Sequence, residues 1–190
     1  SGSACDVLSA SWFRFATQHV SPAQRAWMAS LPRRLALVSG GLRVAVVHGS
    51  ATSINRFVFA SDSLPAKQRE LDLCGSDVLV GGHCGLPFVQ PLSRGFWLNT
   101  GALGMPANDG TPDGWYALLK PCGERRLEVR LERLACPWRE GQARMRAVGL
   151  DTPYAAALGR GLWPSLDVLP ASEREQTGRN LRFNPTILGV

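Results

Sequence analysis

The chain has little histidine, only three residues in 190, and it has no hydrophobic run approaching the length needed to cross a membrane. A transmembrane reading is excluded. Also lacking is a Gly-x-x-x-x-Gly-Lys-Ser/Thr loop, so a Walker-type phosphate cradle is excluded, and Gly101 to Gly104 is too short to replace it. Five cysteines (Cys5, Cys74, Cys84, Cys122, Cys136) are odd in number and lack zinc-ribbon spacing. A disulfide framework does not follow, and a reduced, cytoplasmic compartment is the simplest expectation. Signal peptide, low-complexity tract, internal repeat and interdomain linker are not evident, and Ser1-Gly-Ser reads as a cloning remnant. None of the cysteines has a neighbouring base and orienting partner, which argues against thiol catalysis.

What is present fits one soluble domain spanning residues 1–190. The chain is 45% hydrophobic and 19% charged, enough apolar material for a sizeable core. The net charge of +6 comes largely from arginines scattered between Arg125 and Arg182. Scattered charge describes a solvated surface better than a nucleic-acid footprint, so a nucleic-acid partner is only weakly signalled.

Periodicity sets an α/β order. Trp12, Phe13, Phe15, Ala16 and His19 recur at helical spacing, and Ser21-Pro22 caps a second helix that stops before Pro32. Leu35–Val38 and Leu42–Val47 flank Gly40-Gly41 as a hairpin. Residues 50–62 read as a loop, 63–74 as a helix, and 77–80, 95–98, 115–119 and 126–134 as strands. The last of these alternates cleanly, which marks one wet face. Helices follow over 139–148 and 152–158, and the end from Arg179 is expected to be loosely held.

Two apolar strands end in histidine and glycine: Val44-Ala-Val-Val-His48-Gly49, and Asp77-Val-Leu-Val-Gly-Gly-His83-Cys84-Gly85-Leu-Pro87-Phe88. Ligands gather beyond the carboxyl ends of strands in α/β sheets, so His48 and His83 are candidate ligands of one metal ion. Either imidazole, taken alone, also fits a strand-end histidine bonded to backbone. Cys84 fits a small buried cysteine better than a soft ligand, His19 a packing or surface residue, and Asn99, Gly101 and Gly104 a shaped loop or a tight turn needing positive φ.

The same two segments, with Asn99-Thr-Gly101-Ala-Leu-Gly104-Met-Pro and the strand from Trp115, resemble the calcineurin-like metallophosphoesterases, especially their small bacterial phosphodiesterase branch. The resemblance is specific from about Val44 to Leu119. It implies a metallophosphoesterase-like β-sandwich flanked by helices, with His48 and His83 on divalent metal (Mn, Ni, Zn or Fe). It also implies hydrolysis of a phosphomonoester or phosphodiester by metal-bound hydroxide.

The departures weigh equally. Gly85 stands where the pattern has its second histidine, Cys84 replaces a threonine, and the Asp-x-His, Gly-Asp and Gly-Asn-His motifs have no counterpart. Ser3-Ala-Cys-Asp falls where the third of these would lie, without its asparagine or histidine. The resemblance thus describes the later part of the family fold, lacking its first strands. Catalytic residues are not assignable, and a two-metal centre needs bridging carboxylates that this chain does not supply. The alternative is a noncatalytic relative acting as a binding or scaffold module. An unpaired edge is expected on the strand ending at His48 or at His83, and through it a homo-oligomer or a partner chain.

Overall fold

The computed structural model describes residues 4–189. Ser1-Gly-Ser lies outside them, as does Ser3 of the proposed third motif. Two helices, α1 (Ala4–His19) and α2 (Pro22–Ser30), come first. At α2 the expected start is built as a full capping box: Ser21 accepts from the Gln24 N–H while the Gln24 side chain accepts from the Ser21 N–H.

The hairpin follows, β1 (Arg34–Ser39) and β2 (Leu42–Val47). Gly40 and Gly41 both have positive φ, 58° and 77°, the type I′ turn that matches strand twist. After α3 (Leu64–Cys74) come β3 (Val78–Gly81), β4 (Phe88–Pro91) and β5 (Phe96–Asn99), giving a sheet in the order β1-β2-β3-β5-β4. Its three central strands are parallel and its two edges antiparallel. β6 (Gly114–Gly123), β7 (Arg126–Leu134) and β8 (Thr186–Gly189) form a second, antiparallel sheet. Three short helices, α4 (Trp138–Ala147), α5 (Pro153–Arg160) and α6 (Ala171–Glu175), complete the chain. No described helix is long and apolar enough to cross a membrane.

Alternation along β2 explains the layers. Leu42 and Val44 face the second sheet, burying against Trp115, Leu127, Val129 and Leu188. Ala45 and Val47 face the other way, against Leu71 of α3, Phe59 and Leu169. The first sheet is thus buried on both faces at its centre, which is why its strands read as continuous apolar runs. Burying one such leucine or valine contributes about 1.5–3 kcal/mol.

Three expectations change. The strands ending at His48 and His83 are both interior; the hairpin partner β1 covers β2, and the first sheet's edges are β1 and β4. The C-terminal end is not loose: Thr186–Gly189 pairs with β7 and Leu188 is fully buried. Residues 88–91 form a strand against β5, which their proline concealed.

Candidate metal site

β2 and β3 run parallel with Val46 opposite Val80, so the residues that follow leave the sheet side by side. The Gly82 N–H donates to the His48 carbonyl at 2.8 Å. From these neighbouring tips the two imidazoles converge: His83 Nδ1 lies 3.0 Å from His48 Nε2. The rings meet edge to face with centroids 4.9 Å apart.

Local backbone explains the aim. His83 has φ 44°, a left-handed conformation that an L side chain adopts only under constraint. Asn99, at the tip of β5, supplies much of that constraint. Its Nδ2 donates to the Gly82 carbonyl at 2.7 Å and to Cys84 Sγ at 3.1 Å, and its Oδ1 accepts from the Gly101 N–H. On the other side the loop after His48 folds back so closely that a Cβ on Gly49 would lie 2.7 Å from two carbonyl oxygens. That return brings Phe57 onto His83, ring centroids 4.5 Å apart. Burial, then the neighbouring His48, depress the His83 pKa below the ordinary imidazole range, and a hydrogen bond to the Asn55 backbone opposes them.

Chemically, two facing ring nitrogens 3.0 Å apart hold one proton between them, and their lone pairs are those a cation would use. Two imidazoles on one zinc at ~2.1 Å place their nitrogens roughly 3.0–3.4 Å apart, so the pair matches two ligands of a single ion. A dinuclear centre does not fit. Among the described residues no group of three or more His, Cys, Asp or Glu converges anywhere. The surrounding carboxylates serve the loops instead: Glu70 holds Thr52 and Arg56, Asp62 takes the Phe59 N–H, and Glu173 takes Ser61.

Gly85 has φ 71°, and a Cβ there would lie 3.3 Å from Trp163 Cζ2. Trp163 is itself fixed, its Nε1–H donating to the Pro106 carbonyl at 2.6 Å and its backbone N–H to Asn108 Oδ1 at 2.8 Å. The place of the second histidine in the Gly-His-x-His pattern is therefore closed as well as empty of imidazole. Cys84 is buried, which pushes its thiol up to about 12 and leaves it a packing residue. His19 is exposed, its Nδ1 2.8 Å from the Phe15 carbonyl, away from any site. Gly101 needs its positive φ, 73°, under Trp115; Gly104 does not, with open space around its Cβ position.

Phe57, inside the loop read over residues 50–62, and Trp163 were not tied to the site by the sequence. The aromatics at alternate positions, Phe57 and Phe59, in the loop just beyond His48 were the available signal for the first.

No family model matches the chain, and no curated protein matches it. Among solved structures, a metallophosphoesterase from Sphaerobacter thermophilus superposes with TM-score 0.63 at 22% identity, covering 78% of this chain and 65% of that one. A hypothetical protein from Pyrococcus horikoshii OT3 superposes with TM-score 0.64 at 14% identity, covering 77% and 57%. The chain spans about three fifths of the length of these structures. What the likeness establishes is architecture: a mixed α/β, metallophosphoesterase-like fold with its sheets flanked by helices.

Proposed function

We propose that this chain carries the imidazole part of a metal-dependent phosphoesterase site, with His48 and His83 as two ligands of one divalent cation. As it stands it binds that cation weakly and does not turn over phosphate esters. The observation that carries the reading is the 3.0 Å approach of two ring nitrogens at the tips of adjacent parallel strands. Phosphoester hydrolysis needs charge neutralisation on the phosphoryl oxygens and an activated water. Two neutral imidazoles without a carboxylate supply neither in full.

The test is zinc titration followed by side-chain NMR of both histidines, alongside hydrolysis of bis(4-nitrophenyl) phosphate with Mn, Ni or Zn. Expected are a common zinc-dependent change at His48 and His83, its loss in His48→Ala, and no turnover above buffer. Zinc leaving both rings unmoved overturns the ligand assignment. Turnover with stoichiometric metal overturns the impairment and restores a complete phosphoesterase.

A second reading has its own observation. Trp163 closes the space beside Gly85, which suits a noncatalytic relative serving as a binding module. Silent rings and no turnover together select it.

A further inference from the structure

A carboxylate is buried against the loop that carries Phe57. Glu70 sits on α3 one residue before Leu71, whose side chain packs with Ala45 and Val47 of β2 and fixes the helix to the sheet. Glu70 is only 5% exposed, and taking a carboxylate out of water is costly unless hydrogen bonds and an opposite charge offset it. Those bonds go to one short segment. Oε2 accepts the Thr52 N–H at 3.0 Å, while Oε1 accepts the Thr52 hydroxyl at 2.6 Å and Arg56 Nη1 at 2.9 Å. A side chain on a rigid element thus grips both ends of residues 52–56.

That segment has little freedom left. The Ser50 N–H donates to the Ser53 carbonyl and the Ser53 N–H to Ser50 Oγ, and Gly49 faces the Ile54 and Arg56 carbonyls with no room for a Cβ. Two of its contacts fall on His83. The Asn55 backbone bonds the ring, and Phe57, next after Arg56, lies against it with centroids 4.5 Å apart. Nδ1 is the nitrogen turned to His48, so these contacts set which edge of the ring meets its neighbour.

We propose that Glu70 is a positioning residue for the histidine pair, holding residues 52–57 so that His83 presents Nδ1 to the cation that His48 also binds. Its effect on metal rests on the ligand reading above; removing groups that orient a ligating histidine weakens metal binding about 10–100-fold. The buried charge then serves the conformation of the loop rather than the stability of the fold.

The test compares two amides at opposite ends of the loop, each in the full chain. Glu70→Gln keeps the size and loses the ion pair with Arg56, while Glu173→Gln loosens Ser61, beyond Phe59. Both should lower the urea midpoint. Only Glu70→Gln should weaken zinc binding, about tenfold by competition titration, and abolish the nuclear Overhauser contact between the Phe57 and His83 rings in metal-free protein. Thr52→Val cuts the same grip from an exposed position, where folding is not at stake, and should weaken zinc about threefold and reduce the ring contact. An unchanged ring contact in Glu70→Gln and Thr52→Val overturns the proposal, and so does an equal loss of zinc affinity in Glu173→Gln. Zinc that leaves the parent's rings unmoved, with the ring contact still lost in Glu70→Gln, removes the ligand assignment and upholds the positioning.

Discussion

Restoring the missing histidine, Gly85→His, should damage the protein rather than repair the site. Two costs can be read from the geometry. The backbone at Gly85 sits at φ 71°, where any residue with a Cβ loses about 1–2 kcal/mol. The Cβ would also press on Trp163 at 3.3 Å, and Trp163 is held at both its ring nitrogen and its backbone, so it yields little. Overpacking of this kind costs about 1–3 kcal/mol. Together the expected loss is about 2–5 kcal/mol, read as a lowered urea midpoint at unchanged slope. Gly85→Ala separates the terms, since it bears the backbone cost and the first contact without the ring. Zinc affinity should not improve in Gly85→His, because the new imidazole has no open path toward the His48–His83 pair. A Gly85→His protein within about 0.5 kcal/mol of the parent, binding zinc tenfold more tightly, would refute this account of the closed pocket.

Acid should weaken the fold in two stages. The depressed His83 pKa means that the neutral ring is the folded form's preference. Its contribution is complete above the unfolded imidazole value near ~6.5 and is lost as pH falls through the lower folded value. Asp77 lies below the carboxylate range through the Arg43 hydrogen bond. Asp109 does too: burial pushes it up, but Thr111, Arg133 and Leu181 outweigh that. Their stability persists above about 3.9 and goes as pH drops further. Urea midpoints against pH should show the first stage vanish in His83→Asn; the same slope in both proteins from pH 7 to 5 would contradict it. Glycine substitutions should split sharply: Gly161→Ala puts a Cβ 2.3 Å from Thr111 backbone atoms at φ 69° and should cost more than about 3 kcal/mol, while Gly104→Ala, in open space, should stay within about 0.5 kcal/mol. Equal melting temperatures for the two would defeat that reasoning.

Local chemistry was the legible part of this fold. Gly40-Gly41 announced the hairpin, Ser21-Pro22-Ala-Gln24 the cap of α2, and the alternation from Leu127 to Leu131 a strand with one wet face. The convergence of residues 48 and 83 could be anticipated because parallel neighbours end at the same level. Short pairings were hidden. β4 ends in Pro91 and β8 is four residues among arginine, asparagine and proline, so neither has a period to detect. The misplaced sheet edge came from treating the hairpin and the parallel strands separately, although β1 necessarily occupies the flank of β2. Trp163 could not have been foreseen at Gly85, since nothing local ties positions 78 residues apart.

Parallel neighbours also govern when the imidazoles can meet. An antiparallel hairpin such as β1–β2 closes over a two-residue turn, but β2 and β3 come into register only after the intervening segment with α3 has doubled back, bringing together residues 35 positions apart in the chain. Closing that longer excursion must precede any contact that rewards it. The ring-to-ring contact is accordingly a late event in refolding, and its NMR signature would time completion of the sheet's centre rather than the first collapse.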